Sequence, residues 1–204
     1  MSYETKNIRN IALLGHGNNG KTSLAESMLY VTGAIDRLGK VSDGNTVCDY
    51  DAEEIKRGFS VGLSIASFPW NTVKINLLDT PGTLDFEGEV RSGIRAADAA
   101  VIVIDGKSGV EVGAELAWDL ATEAKVPRAF FINKYDDAEA SFERVFNALR
   151  DRFGIQLCPA LVPVKRNGKF ELIDLVSMKL YNFDEKGTRS EAELTEEYIK
   201  IADK

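Results

Sequence analysis

Gly15-His16-Gly17-Asn18-Asn19-Gly20-Lys21-Thr22 is the stretch on which the fold turns. It has the form G-x-x-x-x-G-K-T. A short apolar run, Ile8 to Leu14, precedes it and reads as a buried strand ending in a tight turn. A segment from Thr22 to Tyr30 follows, with Leu24, Met28 and Leu29 on one side of a helix. Strand, glycine-rich loop and helix in that order give the motif its meaning. Glycines let the backbone wrap an anion so that amide N–H groups point inward. Lys21 can then reach the outer phosphates, Thr22 can offer its hydroxyl to Mg²⁺, and the helix N-terminus adds favourable partial charge. Residues 15 to 22, with Ser23 after them, are therefore candidate nucleotide-binding positions. Lys-Thr in register with both flanks separates this loop from a chance glycine-rich turn.

Working outward, residues 32 to 58 lose periodicity: Asp43-Gly44-Asn45 and the charges from Asp49 to Arg57 predict a long mobile loop with room for one short helix. Val61 to Trp70 and Val73 to Leu78 read as strands joined by a hairpin at Asn71-Thr72. Helices are expected over Glu87 to Ala97, Glu111 to Ala124 and Ala140 to Phe153, with strands over Ala99 to Ile104 and Arg128 to Ile132. This alternation predicts an α/β fold, a mostly parallel sheet with helices on both faces. Residues 1 to 154 are read as the P-loop domain. Residues 155 to 204 are read as a small inserted α+β subdomain, with a hairpin turning at Asn167-Gly168 and a charged helix over Glu191 to Ala202.

Three further motifs carry chemistry. In Asp79-Thr80-Pro81-Gly82, an Asp at a strand end can hold a Mg²⁺-bound water and Gly82 can present its N–H to the terminal phosphate. Alone this would be an ordinary turn; beside the phosphate loop the functional reading prevails. In Asn133-Lys134-Tyr135-Asp136, one carboxylate can accept from the ring N–H and the exocyclic amine of guanine together. Adenine offers no such donor pair, so Asp136 selects guanine and argues against an ATP-using enzyme. Asn133 can reach the opposite edge of the base, and the Lys134 stem can cover its face. Arg57-Gly58-Phe59-Ser60 closes the long loop, and Ser60 is a third candidate Mg²⁺ ligand with Thr22 and Asp79. Glu111, Glu115 and Asp119 are expected on a solvated helix face, and Trp70 and Trp118 in packing.

The 204 residues carry a net charge of -7, which argues against unspecific binding to a phosphate backbone; no sequence-specific DNA binding is expected. Cys48 and Cys158 read as free thiols in a reducing compartment, and His16 is the single histidine, which disfavours a zinc site. The N-terminus lacks an apolar run after a basic start, and no stretch approaches membrane-spanning length. A cytoplasmic protein without a membrane partner is expected.

The order and spacing of these motifs resemble the GTP-binding domain of bacterial elongation factor G and its relatives, including ribosomal protection proteins. Ser23 to Tyr30 with Thr32 to Ile35 looks like that family's first helix and loop entry, Val126-Pro127-Arg128 fits before Asn133, and Ile173 to Lys179 looks like its inserted subdomain. The resemblance covers residues 7 to 182. It implies a GTP/GDP switch dependent on Mg²⁺, GTP hydrolysis, and the ribosome as partner of the full-length protein. It also implies that the residue after Asp-Thr-Pro-Gly positions the attacking water. There the family reads His and this chain has Thr83, which makes Thr83, Gly82 and Lys21 the catalytic positions to watch and slow hydrolysis the expectation. The alternative it raises is a nucleotide-gated switch with negligible turnover. The family's Thr in the long loop is here Ser60, which keeps a hydroxyl. The family's last base-contacting loop, final strand and helix are not in the sequence, so the chain is expected to be a truncated piece.

Overall fold

The computed structural model describes residues 3–166, 169–184 and 187–202. They fall into two compact units, Met1–Ser141 and Phe142–Lys204.

In the first unit the strands are β1 (Ile8–Gly15), β2 (Ser64–Trp70), β3 (Val73–Asp79), β4 (Ala99–Asp105) and β5 (Arg128–Asn133). They form one sheet in the order β2-β3-β1-β4-β5. β1 pairs in parallel with β3 and β4, β4 in parallel with β5, and β2 joins antiparallel at the edge. The helices are α1 (Lys21–Val31), α2 (Ala52–Arg57), α3 (Glu87–Ala96) and α4 (Val112–Glu123). Leu13 of β1 joins Ala25 and Leu29 of α1, Ala66 and Phe68 of β2 and Leu77 of β3 in one buried cluster. Its neighbours Ala12 and Leu14 are equally buried and, by strand alternation, point to the opposite face. Both faces of β1 are thus covered, which is why Ile8 to Leu14 reads as a continuous apolar run.

The parallel register places four strand ends side by side. Leu13 lies opposite Asp79, Gly15 opposite Val103, and Asp105 opposite Asn133. β1 sits between β3 and β4, so the loop after it leaves from the point where the order of connections reverses, the crevice where open α/β sheets bind ligands.

The expected strand over Val61 to Trp70 begins three residues late, at Ser64. The N–H groups of Val61 and Gly62 go to the Glu54 carboxylate and that of Leu63 to Glu89, so they are unavailable to the ladder. Asn71 takes φ 52° at the hairpin turn, a backbone that Asn tolerates well. Trp70, expected in packing, is 54% exposed at the end of the edge strand. Trp118 does pack: it stacks on Phe130 at 5.5 Å, with the Arg128 guanidinium 3.6 Å over its ring.

The second unit contains α5 (Phe142–Phe153), strands β6 (Leu161–Arg166), β7 (Lys169–Asp174), β8 (Lys179–Phe183) and β9 (Arg189–Glu193), and α6 (Glu196–Ala202). The strands form an antiparallel meander in sequence order. Val162, Val164, Ile173 and Leu180 make its core with Tyr198 of α6. The Asn167-Gly168 turn lies outside the described residues. The helix expected over Glu191 to Ala202 is corrected in its first part: residues 191–193 belong to β9, and the helix starts at Glu196. A short charged helix is marginal by itself, whereas the open edge of β8 offers a complete ladder. The diagonal ion pair of Lys179 with Glu191, and Arg189 over the Tyr181 ring at 4.7 Å, add cross-strand support.

Candidate functional site

The loop from β1 to α1 is shaped by contacts only glycine allows. Gly15 has φ 132°, and a Cβ there would lie 2.5 Å from the Val103 carbonyl oxygen; Gly20 has φ 89°, and a Cβ there would run into the Asn133 side chain. Two amides tie the loop to the neighbouring strand ends: Asn19 Nδ2 donates to the Val103 carbonyl (3.1 Å), and Asn133 Nδ2 donates to the Asn19 carbonyl (2.9 Å). Asn133, expected at the base, thus braces the phosphate loop.

Lys21, at the start of α1, folds back across the loop. Its Nζ donates to the carbonyls of His16 (2.8 Å) and Gly15 (3.1 Å). Burial lowers its pKa to about 8, although Asp79, Asp49 and Glu111 oppose that shift. Gly82 sits so close that a Cβ would meet Lys21 Nζ and stand 2.7 Å from Gly17 N. The Asp-Thr-Pro-Gly turn therefore needs glycine there for the two backbones to meet.

Beside Lys21 is a cluster of oxygens. Thr22 Oγ1 donates to Asp79 Oδ2 (2.8 Å) and lies 3.2 Å from Ser60 Oγ, which donates to Asp49 Oδ1 (2.7 Å). The second oxygens, Asp79 Oδ1 and Asp49 Oδ2, are buried with no hydrogen-bond partner among the described residues. Burial pushes the pKa of Asp79 up to about 7 despite the Thr22 bond and Lys21, and burial likewise raises that of Asp49 despite the Ser60 bond. Two orphaned carboxylate oxygens beside two hydroxyls form a hard-oxygen set, suited to a small divalent cation. The three ligand candidates Thr22, Ser60 and Asp79 are brought together, and Asp49 is a fourth that the sequence reading missed. Its only signal was a carboxylate in a charged loop, indistinguishable by pattern from Asp51 or Glu53.

Lys21, Thr22, Asp49 and Ser60 line a cavity of about 200 Å³ whose walls also include Ser23, Phe59, Thr83 and Lys134. Thr83 stands at the edge of the 3₁₀ turn Leu84–Phe86, its Oγ1 buried without a partner among the described residues. At the far end, Lys134 Nζ bonds Asp105 Oδ2 at 2.8 Å. Burial acts to raise the Asp105 pKa, but the Lys134 bond and the N–H groups of Ser108 and Lys107 outweigh it, and the net shift is downward. Asp136 is exposed. Arg57 is held by Glu53 at 2.7 Å, with its guanidinium toward the Phe59 ring.

Glu111 is not on a solvated face as expected. Its Oε1 lies 3.9 Å from His16 Nε2, and its Oε2 is buried and unpartnered among the described residues. The reason is close packing of α4 on the phosphate loop: a Cβ on Gly113 would stand 2.6 Å from His16 Cα, and Glu111 precedes that contact by two residues.

A central parallel strand, a glycine-shaped anion loop, an acidic strand end and an Asn-Lys-x-Asp loop on one sheet edge define a P-loop domain of the GTP-binding class. The chain belongs to the elongation factor Tu GTP-binding domain family, whose model matches residues 6–201, and it is a GTP-binding domain of the elongation factor G-like kind. It is 40% identical over 197 residues to an elongation factor G-like protein of Mycobacterium tuberculosis strain H37Rv, covering 96% of this chain and 27% of that protein. To the mitochondrial ribosome-releasing factor 2 of Drosophila melanogaster it is 40% identical, over 91% of this chain and 25% of the relative. A solved crystal structure from Thermus thermophilus superposes with a TM-score of 0.88 at 36% identity, covering 96% of this chain and 29% of that one. The chain thus spans about a quarter of the length of these relatives.

Proposed function

We propose that this chain binds GTP and GDP with Mg²⁺ as the switch domain of an elongation factor G-like translation factor, and hydrolyses GTP slowly unless stimulated by the ribosome. The supporting observation is the oxygen cluster at the phosphate end: Thr22, Ser60, Asp49 and Asp79 linked by hydrogen-bond contacts, two carboxylate oxygens unmatched, beside a buried lysine. Bound Mg²⁺ would neutralise charge shared between two phosphates. Thr22, Ser60, Asp79 and Asp49 would hold it through their hydroxyl and carboxylate oxygens. Gly15 to Ser23 would wrap the phosphates, with Lys21 turning from its two carbonyls to the outer phosphates and the Gly82 N–H facing the terminal one. Asn133, Lys134 and Asp136 would receive guanine.

A second reading, a switch with negligible turnover, is favoured by Thr83. Its hydroxyl is buried at the cavity wall where the resembling family places an imidazole, and a hydroxyl cannot accept a proton as imidazole does. Unassisted hydrolysis in such domains is already on the order of 10⁻⁴ per second. Single-turnover hydrolysis by the full-length protein with ribosomes separates the two readings. Stimulation that grows in Thr83→His supports a slow GTPase limited at this position. No stimulation in the parent, with stimulation appearing only in Thr83→His, supports the gated switch; no stimulation in either form, or parent rates equal to those of a histidine-bearing relative, contradicts the role given to Thr83.

A further inference from the structure

The oxygens of Asp49 and Ser60 reach the Thr22–Asp79 pair from a segment with little regular structure, residues 39–63, and two buried glutamates hold that segment in place. Glu26 of α1 is 1% exposed; its Oε2 accepts the Gly39 N–H at 3.0 Å and its Oε1 accepts the Val47 N–H. Glu54 of α2 accepts the N–H groups of Val61 (2.9 Å) and Gly62 (3.1 Å), immediately beyond Ser60. Val47 lies two residues before Asp49. Glu26 follows Thr22 by four residues, so the two share one face of α1. The approach is close: a Cβ on Gly39 would stand 2.8 Å from Glu26 Oε2 and 2.6 Å from the Asn45 carbonyl.

We propose that Glu26 is a positioning residue for the cation site: it fastens residues 39–47 to α1 and so sets Asp49 against Ser60, Thr22 and Asp79. The proposal rests on the Mg²⁺-nucleotide reading above. A carboxylate suits the task because both of its oxygens accept, one amide each. Glutamine has one accepting oxygen, and its NH₂ would face a second donor.

The test measures release of a fluorescent GDP from the whole chain, with Mg²⁺ and with EDTA, in the parent and in Glu26→Gln. Mg²⁺ slows release in the parent. In Glu26→Gln this slowing shrinks on the order of tenfold, since bonds to a charged acceptor are lost, while release in EDTA is unchanged. Amide hydrogen exchange rises at Gly39 and Val47 and stays constant through α1. Gly39→Ala, which presses the segment away from an intact Glu26, gives the same pattern and decides the matter if the glutamine variant does not fold. Undiminished Mg²⁺ slowing in a folded variant overturns the proposal, whether or not exchange rises. A parent that binds no GDP overturns the functional reading and this proposal with it.

Discussion

The two ends of the pocket are built on opposite principles. At the phosphate end Lys21, Thr22, Asn19 and Asp79 are buried, and the loop amides, Asn133 and Gly82 hold the backbone tightly. At the base end Lys134 and Asp136 are exposed, and Lys134 is held by one ion pair to Asp105. The difference teaches that anchoring and selectivity are separable here. Burial makes the phosphate end strong before any ligand arrives, since electrostatic interactions gain in a low-dielectric surround. On the proposed reading, the base end would obtain its discrimination from one exposed carboxylate, Asp136.

The largest expected effect breaks the strong end. Lys21→Ala should weaken GDP binding by at least about 3 kcal/mol, on the order of a hundredfold, because a phosphate loses a charged donor. Calorimetric titration measures this, with circular dichroism confirming that the fold is kept. The next effect breaks the open end: Asp136→Asn should cost about 1–2 kcal/mol in GDP affinity and move preference toward xanthine nucleotide. Equal affinity for GDP in variant and parent would remove Asp136 from the base site.

The asymmetry also marks what could be read from residues alone. The phosphate loop, the Asp79 turn and the Asn133–Asp136 loop are local patterns: each lies within a few consecutive residues at the end of a strand whose apolar run is visible. Glu26, Glu54, Glu111 and Asp49 were not legible, because a buried carboxylate looks like a solvated one until its partners, 13 or more residues away for Glu26, are brought to it. Asn133 shows the same limit: its place after β5 could be read, but not its bond to the Asn19 carbonyl, which joins residues 114 positions apart. In the second unit residues 191–193 read as the start of a helix, because all five residues of β9 are exposed and only pairing to β8 makes them a strand.

A separate effect, on stability rather than on affinity, sharpens the contrast. Asp79 holds its proton more tightly in the folded metal-free protein, with a pKa raised to about 7 from an ordinary 3.8. Its contribution is therefore fully present below about pH 4 and is lost as pH rises toward 7, by at most about 1.4 kcal/mol per pH unit for one proton. Denaturant titrations between pH 4 and 7 in EDTA should show this decline, and Asp79→Asn should flatten it. An unchanged slope in the variant would mean that Asp79 is not the group responsible.

The central claim is a guanine pocket anchored at its phosphates. It is tested most directly by equilibrium competition against fluorescent GDP with GDP, GTP and ATP, in Mg²⁺ and in EDTA. The account predicts displacement by GDP and GTP, no displacement by ATP at about a hundredfold excess, and tighter guanine-nucleotide binding in Mg²⁺ than in EDTA. Displacement by ATP as effective as by GTP, or affinities indifferent to Mg²⁺, would contradict it.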